Sequence, residues 1–484
     1  MLKVAGSMDI QVGGLGYDSR RLGRGEVFFA LTGLRADGRA FVAQAIGAGA
    51  AAVVVERGFE PFEGAPAPVV EVEEPRRALA QAAGRWHGHP ARSLTVVGIT
   101  GTNGKTTTTW LLESIYRAAG RSSGVIGTTG IRFAGESRPA PLTTPEAPEL
   151  QGLLRQMADR GVQAVAMEVS SHALVQRRAY GVAFDAVVFT NLSQDHLDYH
   201  RTMDAYLDAK LMLFDGRNGP AQGKTGTAVL NADDPAADRV RHAAARGRLA
   251  AITFGEARGA DVRIVRVHPR PDGLAITLED RGAAVSIALP LMGRHNAWNA
   301  AAAWAAARAL GIERPLVERG LARVPRVPGR LEPISTGGRI LVVVDYAHTP
   351  DALARALEAC REHTVGRVLL VFGCGGDRDR GKRPLMGRLA GERSDRAWVT
   401  NDNPRGEDPA AIAAEVTAGS PKPLTVILDR RDAIAAALAE AREGDLVLIA
   451  GKGHETTQTI GERVVAFDDR AVAAELLAGR RAGT

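Results

Sequence analysis

Short apolar runs alternating with stretches of helical period set the layout of this chain. Over the first ninety or so residues the runs at 27–31, 51–56 and 69–72 are short. An Ala-rich helical stretch lies at 40–49, and glycine and proline punctuate the rest. The turn WHGHP at 86–90 reads as a linker. From residue 94 the pattern becomes α/β: apolar runs at 94–99, 164–169 and 186–189 alternate with helical-period segments at 106–119 and 145–160. The stretches 227–231, 249–254 and 262–289 read as more purely β, and a helix at 296–310 closes the segment. VPRVPGRLEP, 324–333, is a proline-rich boundary. Beyond it a second α/β unit places strands at 340–344, 368–372, 397–400, 424–428 and 446–450. The expected fold class is α/β with three domains, at 1–91, 92–328 and 329–484. The first is small, the second couples a parallel sheet to a smaller β region, and the third is Rossmann-like.

Polar residues collect after the strands of the last unit, in DYAHTP (345–350), GCGGDRD (373–379), NDNPR (401–405) and GKGHE (451–455). Open parallel sheets bind ligands at the carboxyl ends of their strands, so these four loops are expected to form one site. Pro404 fixes its own φ and forces a turn, leaving the Arg405 fork on a stiff loop. Taken alone, Arg405 could face solvent or a surface carboxylate.

Composition narrows the class. With 45% hydrophobic and 24% charged residues in 484, the chain is an ordinary globular protein. Two cysteines, Cys360 and Cys374, are too few for a disulfide framework and fit a reducing cytosol. No run reaches the ~18 apolar residues of a membrane span, and the N-terminus lacks a signal-peptide core, so a cytoplasmic location is expected. The net charge of +6 comes without a basic block, and aromatics are only 5%, which argues against nucleic acid and towards small anionic ligands. Of the 61 basic residues 54 are arginine, so each of the seven lysines, at 3, 105, 210, 224, 382, 422 and 452, invites the question of what arginine could not do there.

The strongest motif is GITGTNGKTTTT, 98–109, between a strand and a helix. Its glycines let backbone wrap phosphates, Lys105 supplies a compact charge, and the Thr106 hydroxyl suits Mg²⁺. In AMEVSSHALVQRRAYG, 166–181, Glu168 ends a buried strand and needs a partner, either a local ion pair or cap, or Mg²⁺. FTNLSQDHLDYH, 189–200, offers Asp195 and His196. DAYLDAKLMLF, 204–214, reads as an amphipathic helix in which Lys210 either snorkels to solvent or is carbonated by CO₂ into a carboxylate-like Mg²⁺ ligand. Asn296 and Asn299 share a helix face and could cap it or contact a nucleotide. Arg330 and Asp345 flank the second domain boundary, suited to clamping ATP on closure.

In that order, TGTNGKTTT, EVSSHAL, TNLSQDHLDYH, the lysine of DAYLDAKLMLF, G-x-H-N-x-x-N, PGRLE, DYAHTPD and GKGHE resemble the ATP-dependent Mur ligases, which form amide bonds in peptidoglycan precursor synthesis. The resemblance spans nearly the whole chain. GCGGDRDRGKRPLM and DNPR look like those members that add meso-diaminopimelate to UDP-N-acetylmuramoyl-L-alanyl-D-glutamate. It implies roles position by position. Gly101, Thr102, Asn103, Gly104, Lys105, Thr106 and Thr107 would hold ATP, with Asn299, Arg330 and Asp345 as its clamp. Thr106, Glu168, His196 and a carbamylated Lys210 would surround Mg²⁺, and Lys105, Glu168, His196 and Lys210 would be catalytic. Thr143, Thr144, Ser170, Gln176 and Arg178 would contact the muramoyl dipeptide, and Ser19 the uridine nucleotide bound by the first domain. In that domain the GLRADG loop, 33–38, matches the family loosely, with Arg35 a candidate phosphate contact. Arg378, Asp402, Asn403, Pro404, Arg405, Gly451 and Glu455 would form the diaminopimelate pocket, where Arg405 grips the distal carboxylate that lysine lacks and Glu455 answers the distal ammonium. A monomer without nucleic-acid partners is expected. A lysine-adding ligase would be expected to lack Arg405. A folylpolyglutamate synthase would share the P-loop but leave the first domain and DNPR unexplained.

Overall fold

The computed structural model describes residues 3–7, 9–33, 36–59, 66–220, 222–270, 272–334 and 340–482. Among these, three main sheets follow one another along the chain. The first runs Lys3–Ala5, Val69–Val72, Ala52–Glu56, Glu26–Phe29, Gly14–Gly16, parallel except for the opening strand. Val53, Val55 and Phe28 point to one face of it and Phe29, Val54 and Val70 to the other, the period-2 alternation of a sheet covered on both sides.

The second sheet has Thr95–Thr100 at its heart, flanked by Ala164–Glu168 and Ala186–Phe189, all parallel. Thr227–Asn231 and Ala250–Gly255 extend it, and the span 262–289 adds the strands Val262–Arg270, Gly273–Asp280 and Ala283–Leu289. At the opposite end Ser123–Gly127, Gly130–Phe133 and Glu136–Arg138 form a meander that the sequence pattern did not disclose. Helices Lys105–Ala118, Asn296–Ala309 and Arg314–Ala322 bury one face, and Ala147–Asp159 and Ala237–Arg246 the other.

The third sheet runs Glu332–Pro333, Leu341–Asp345, Leu446–Ala450, Val368–Phe372, Arg396–Val399, Thr425–Val426, parallel apart from its first strand. The strand expected at 424–428 shrinks to two residues at this edge, where only one neighbour supplies hydrogen bonds. A separate hairpin, Thr457–Ile460 and Arg463–Ala466, stands beside the carboxyl ends. Two expectations need correcting. The WHGHP segment is not all linker, since Trp86 ends a helix, Pro75–Trp86, that packs on Ala147–Asp159. The helix around Lys210, Met203–Leu211, exposes Asp204, Ala205 and Asp208, but Lys210 lies on its buried face with Tyr206, Leu207, Ala209 and Leu211, and does not snorkel.

Candidate functional site

The loop 101–104 leaves the end of Thr95–Thr100 and enters the helix Lys105–Ala118 with Gly104 as its N-cap at φ +88°. A Cβ there would collide with Asn299 Oδ1, so glycine allows the Asn296–Ala309 helix to sit against the loop. Asn299 donates to Asn296 Oδ1 (2.8 Å), and Asn296 donates to the Met292 carbonyl (2.7 Å). Asn296 thus secures the turn ahead of the helix, while Asn299 meets the loop. The Lys105 ammonium donates to the Gly101 and Thr102 carbonyls, 2.8 Å from each. Burial depresses its pKa, and Glu168 and Asp195 oppose the shift.

Glu168, completely buried, accepts from the Thr106 hydroxyl (3.0 Å), the Thr128 amide (2.8 Å) and the Thr128 hydroxyl (3.0 Å). The Arg330 guanidinium crosses from the third unit to donate to Thr106 Oγ1 at 3.1 Å and lies over the Tyr346 ring, 4.6 Å from its centre. Asp345 accepts the Leu331 and Ala347 amides (2.7 and 2.8 Å), so it braces the turn carrying Arg330; burial raises its pKa. Asn103 donates to Asp351 at 2.9 Å across the same seam.

Lys210 is 1% exposed and makes no hydrogen bond or ion pair among the described residues. Its Nζ stands 4.1 Å from the centre of the Tyr206 ring, in a cluster with His172, His196, Tyr199 and His200. Burial pushes its pKa well below the usual lysine value, and repulsion from Lys105 adds to this. The shift favours the neutral amine, the form that reacts with CO₂. His196 begins a short helical turn at φ +56°, and burial pushes it down to about 3 against the pull of Asp195, 3.3 Å away.

Gly101 to Thr107, Thr143, Glu168, Ser170, His196, Lys210, Asn299, Arg330 and Asp345 all line one cavity of about 200 Å³. A neighbouring cavity of about 630 Å³ shares Asn103, Gly104, His295, Asn299 and Arg355 with it and reaches Trp298. Thr144, Gln176 and Arg178 back this wall: Arg178 donates to Gln176 Oε1 (2.6 Å) and pairs with Glu146 (2.9 Å), while Thr144 Oγ1 bonds the Glu168 carbonyl (2.9 Å). Ser19 lies elsewhere, half-buried in the first unit and bonded to Gln44 (3.1 Å), and Arg35 falls outside the described residues.

The four polar loops of the third sheet meet. Gly376 N donates to the Asn403 carbonyl (2.9 Å), and Asn403 donates to Asp402 Oδ1 (3.0 Å) and Glu455 Oε2 (2.9 Å). At Gly451, φ +116°, a Cβ would stand 2.6 Å from Asp402 Oδ2. Arg405 adopts φ +51°, its backbone held by the hairpin through Arg405 N to Thr459 O (3.1 Å) and Gly461 N to Arg405 O (2.7 Å). Its guanidinium reaches only carbonyl oxygens, Gly376 O at 2.8 Å and Asn403 O at 3.5 Å. Arg378 is likewise bonded only to a carbonyl, that of Asp377 (3.1 Å), and the two side chains flank Gly375. Among the described residues neither has a carboxylate partner, whereas nearby Arg380, Arg383 and Arg430 each have one or two.

Sequence reasoning passed over Tyr346, His348, Asp351 and Arg355, although DYAHTPD carries the first three, and over His295 and Lys452. Lysine scarcity was the available signal for the last.

Comparison with known proteins decides the family. Residues 11–87 match the Mur ligase family catalytic domain, 99–307 the Mur ligase middle domain and 329–453 the Mur ligase glutamate ligase domain. A relative from Gloeobacter violaceus is 46% identical over 98% of this chain and 95% of its own length. The chain belongs to the Mur ligase family. A second Mur relative, from Geobacillus thermodenitrificans, is 45% identical over 96% of this chain and 94% of its own; both are named UDP-N-acetylmuramoyl-L-alanyl-D-glutamate--2,6-diaminopimelate ligase. A solved Mur ligase structure of the same name superposes with a TM-score of 0.68 at 33% identity, covering 98% of this chain and 97% of that one. The enzymes of this family are ATP-dependent, ADP-forming amide ligases, and this chain is one of them.

Proposed function

We infer that the chain joins meso-2,6-diaminopimelate to the D-glutamate γ-carboxylate of UDP-N-acetylmuramoyl-L-alanyl-D-glutamate, consuming ATP, in cytoplasmic peptidoglycan precursor synthesis. The observation that carries this reading is the pair of guanidiniums, Arg378 and Arg405, which among the described residues have no carboxylate partner and stand beside the loops that carry Asp402 and Glu455. Two cations beside two anions suit an amino acid with a carboxylate and an amine at each end. Lysine would leave one guanidinium unpaired.

The P-loop amides and Lys105 are suited to the ATP phosphates, and the cavity bounded by His295, Trp298 and Asn299 to the nucleoside end. Among the described residues no cluster of three or more His, Cys, Asp or Glu side chains forms a metal cage. Glu168 and Thr106 instead offer a carboxylate and a hydroxyl beside the P-loop, which fits Mg²⁺, an ion that takes its remaining ligands from phosphate and water. Carbonation of Lys210 would add a second carboxylate, with His196 nearby. When bound, the ion supplies charge neutralisation at the phosphates. The glutamate γ-carboxylate attacks the γ-phosphorus, ADP leaves and an acyl phosphate forms, with Lys105 stabilising the charge that moves. The free amine of diaminopimelate attacks the acyl carbon, a C–N bond forms, and phosphate departs from the tetrahedral adduct. Arg330 and Asn103 bridge the second and third units, so closure brings amine and acyl phosphate together and excludes water.

We place the domain boundaries at 91/92 and 328/329, supported by the turn Pro90–Arg92 and by the proline-rich segment before Gly329, and we take the chain to act as a monomer. Phosphate release from ATP and Mg²⁺ with the UDP-muramoyl dipeptide tests the function. Release dependent on meso-diaminopimelate is expected, and release with neither diaminopimelate nor L-lysine would sink the assignment.

A further inference from the structure

Lys452 follows the strand Leu446–Ala450, and its side chain is completely buried. The ammonium donates to Glu455 Oε2 at 2.9 Å, to the Thr457 carbonyl at 2.6 Å and to Asn403 Oδ1 at 3.3 Å. Three protons meet three acceptors, so the donor capacity is filled. Glu455 and Asn403 belong to the pocket just described, and Thr457 opens the hairpin strand that holds the backbone of Arg405. One cation therefore ties together the acidic side chain, the amide beside it and the support of the specificity arginine.

Lys452 also settles the charge of the pocket. Arg405 stands in the field of Arg378 and of Asp402, Glu455 and Asp377, and the buried ammonium of Lys452 offsets the Glu455 carboxylate it touches. Diaminopimelate has two carboxylates and two amines, and one amine must be a free base to attack. In that form its charge is −1. Take Lys452 away and Glu455 loses the ammonium paired with it, an arrangement that favours both amines as ammonium ions and leaves no nucleophile.

We propose that Lys452 is a positioning residue for diaminopimelate: it fixes Glu455 and Asn403 and cancels one carboxylate charge, so that the pocket retains one ammonium and admits the other amine as the free base. The inference rests on the diaminopimelate reading of the pocket.

The test compares the parent with Lys452→Met, which keeps length and loses charge, and with a Lys452→Met/Glu455→Gln double variant. KM for each of the three substrates, the pH profile of kcat and thermal stability are measured. In Lys452→Met, KM for diaminopimelate is expected to rise tenfold or more while those for ATP and the UDP-muramoyl dipeptide stay within about twofold, and the acid limb of kcat moves up by about one pH unit. The double variant removes the Glu455 carboxylate together with its counter-charge, so its acid limb returns to the parent position while KM for diaminopimelate stays high. Because it leaves no charge unpaired, it carries the test should the single variant fail to fold. An unchanged diaminopimelate KM, three KM values rising together with a lost melting transition, or a limb that stays displaced in the double variant would each overturn the proposal. Failure of the underlying assignment looks different, since the parent itself would then release no phosphate with diaminopimelate.

Discussion

Replacing Arg405 with lysine isolates the fork from the charge. In the structure this guanidinium is half-buried, turns Nη1 to the Gly376 and Asn403 carbonyls at 2.8 and 3.5 Å, and leaves Nε and Nη2 without a partner among the described residues. Its pKa is lowered by burial first and by Arg378 second, so an arriving carboxylate relieves both desolvation and repulsion. A lysine there stays cationic but is shorter, makes a single-point contact, and gives up the planar match to a carboxylate. Losing one charged hydrogen bond of a bidentate pair in such a pocket costs about 2–3 kcal/mol, since hydrogen bonds to charged groups contribute on the order of 1.5–3. At roughly 1.4 kcal/mol per decade this is a loss of about 30- to 150-fold in kcat/KM for meso-diaminopimelate. L-Lysine lacks the distal carboxylate, so its much lower kcat/KM should change less than about threefold, and the ratio between the two substrates should collapse. Phosphate release at varied amino-acid concentration, with ATP and the UDP-muramoyl dipeptide saturating, measures both numbers. A parallel fall for both amino acids would mean that Arg405 shapes the loop rather than reads the substrate, and the argument from the unpaired guanidinium would be wrong.

Other perturbations follow from the central cavity. Lys210→Arg keeps a cation but cannot form a carbamate, so kcat should fall about 100-fold or more; NMR with isotope-labelled bicarbonate should show a carbamate signal in the parent alone, and a fully active variant would refute the carbonation. Gly104→Ala forces a side chain into φ +88° and onto Asn299, so calorimetric affinity for a non-hydrolysable ATP analogue should drop at least about tenfold. His295 has its folded pKa pushed down to about 4 by burial, with Arg355 adding to the shift. Its stabilising contribution is therefore complete above the unfolded value near 6.5 and is lost as pH falls, by about 2 kcal/mol between pH 7 and 5. Urea midpoints for the parent should decline over that interval more steeply than those of His295→Gln, and superimposable profiles would contradict the assignment.

What the sequence made legible was what local chemistry encodes. The P-loop announces itself because glycine, lysine and threonine are needed at fixed spacing between a strand and a helix, and the buried parallel strands read as continuous apolar runs. The meander at 123–138 escaped because Gly124, Gly127, Gly130 and Gly135 break the alternation that marks a strand. Lys210 misled in a different way. A lysine among Leu211, Leu213 and Phe214 suggests one wet face, yet Tyr206 and three histidines distant in sequence from most of the core enclose it, and a local window cannot report that closure. The same limit hid the contacts between units. Arg330 to Thr106 spans 224 positions and Asn103 to Asp351 spans 248, and no periodicity predicts either.

Those long-range contacts bear on mechanism more than the motifs do. The P-loop, Glu168 and Lys210 lie on one side of the seam, and the unpaired guanidiniums on the other. Arg330 touches the Thr106 hydroxyl, the same group that donates to Glu168, and its ring partner Tyr346 stacks within 5.0 Å of His454, the neighbour of Glu455. A continuous line of contacts thus runs from the candidate Mg²⁺ ligands to the proposed diaminopimelate site. Opening the seam would break Arg330–Thr106 and Asn103–Asp351 together, leaving the carboxylate to be phosphorylated and the amine to be joined on separate bodies. Assembly of the site by closure fits the placement of Arg330 outside both sheets, after Gly329 and beside a turn braced by Asp345.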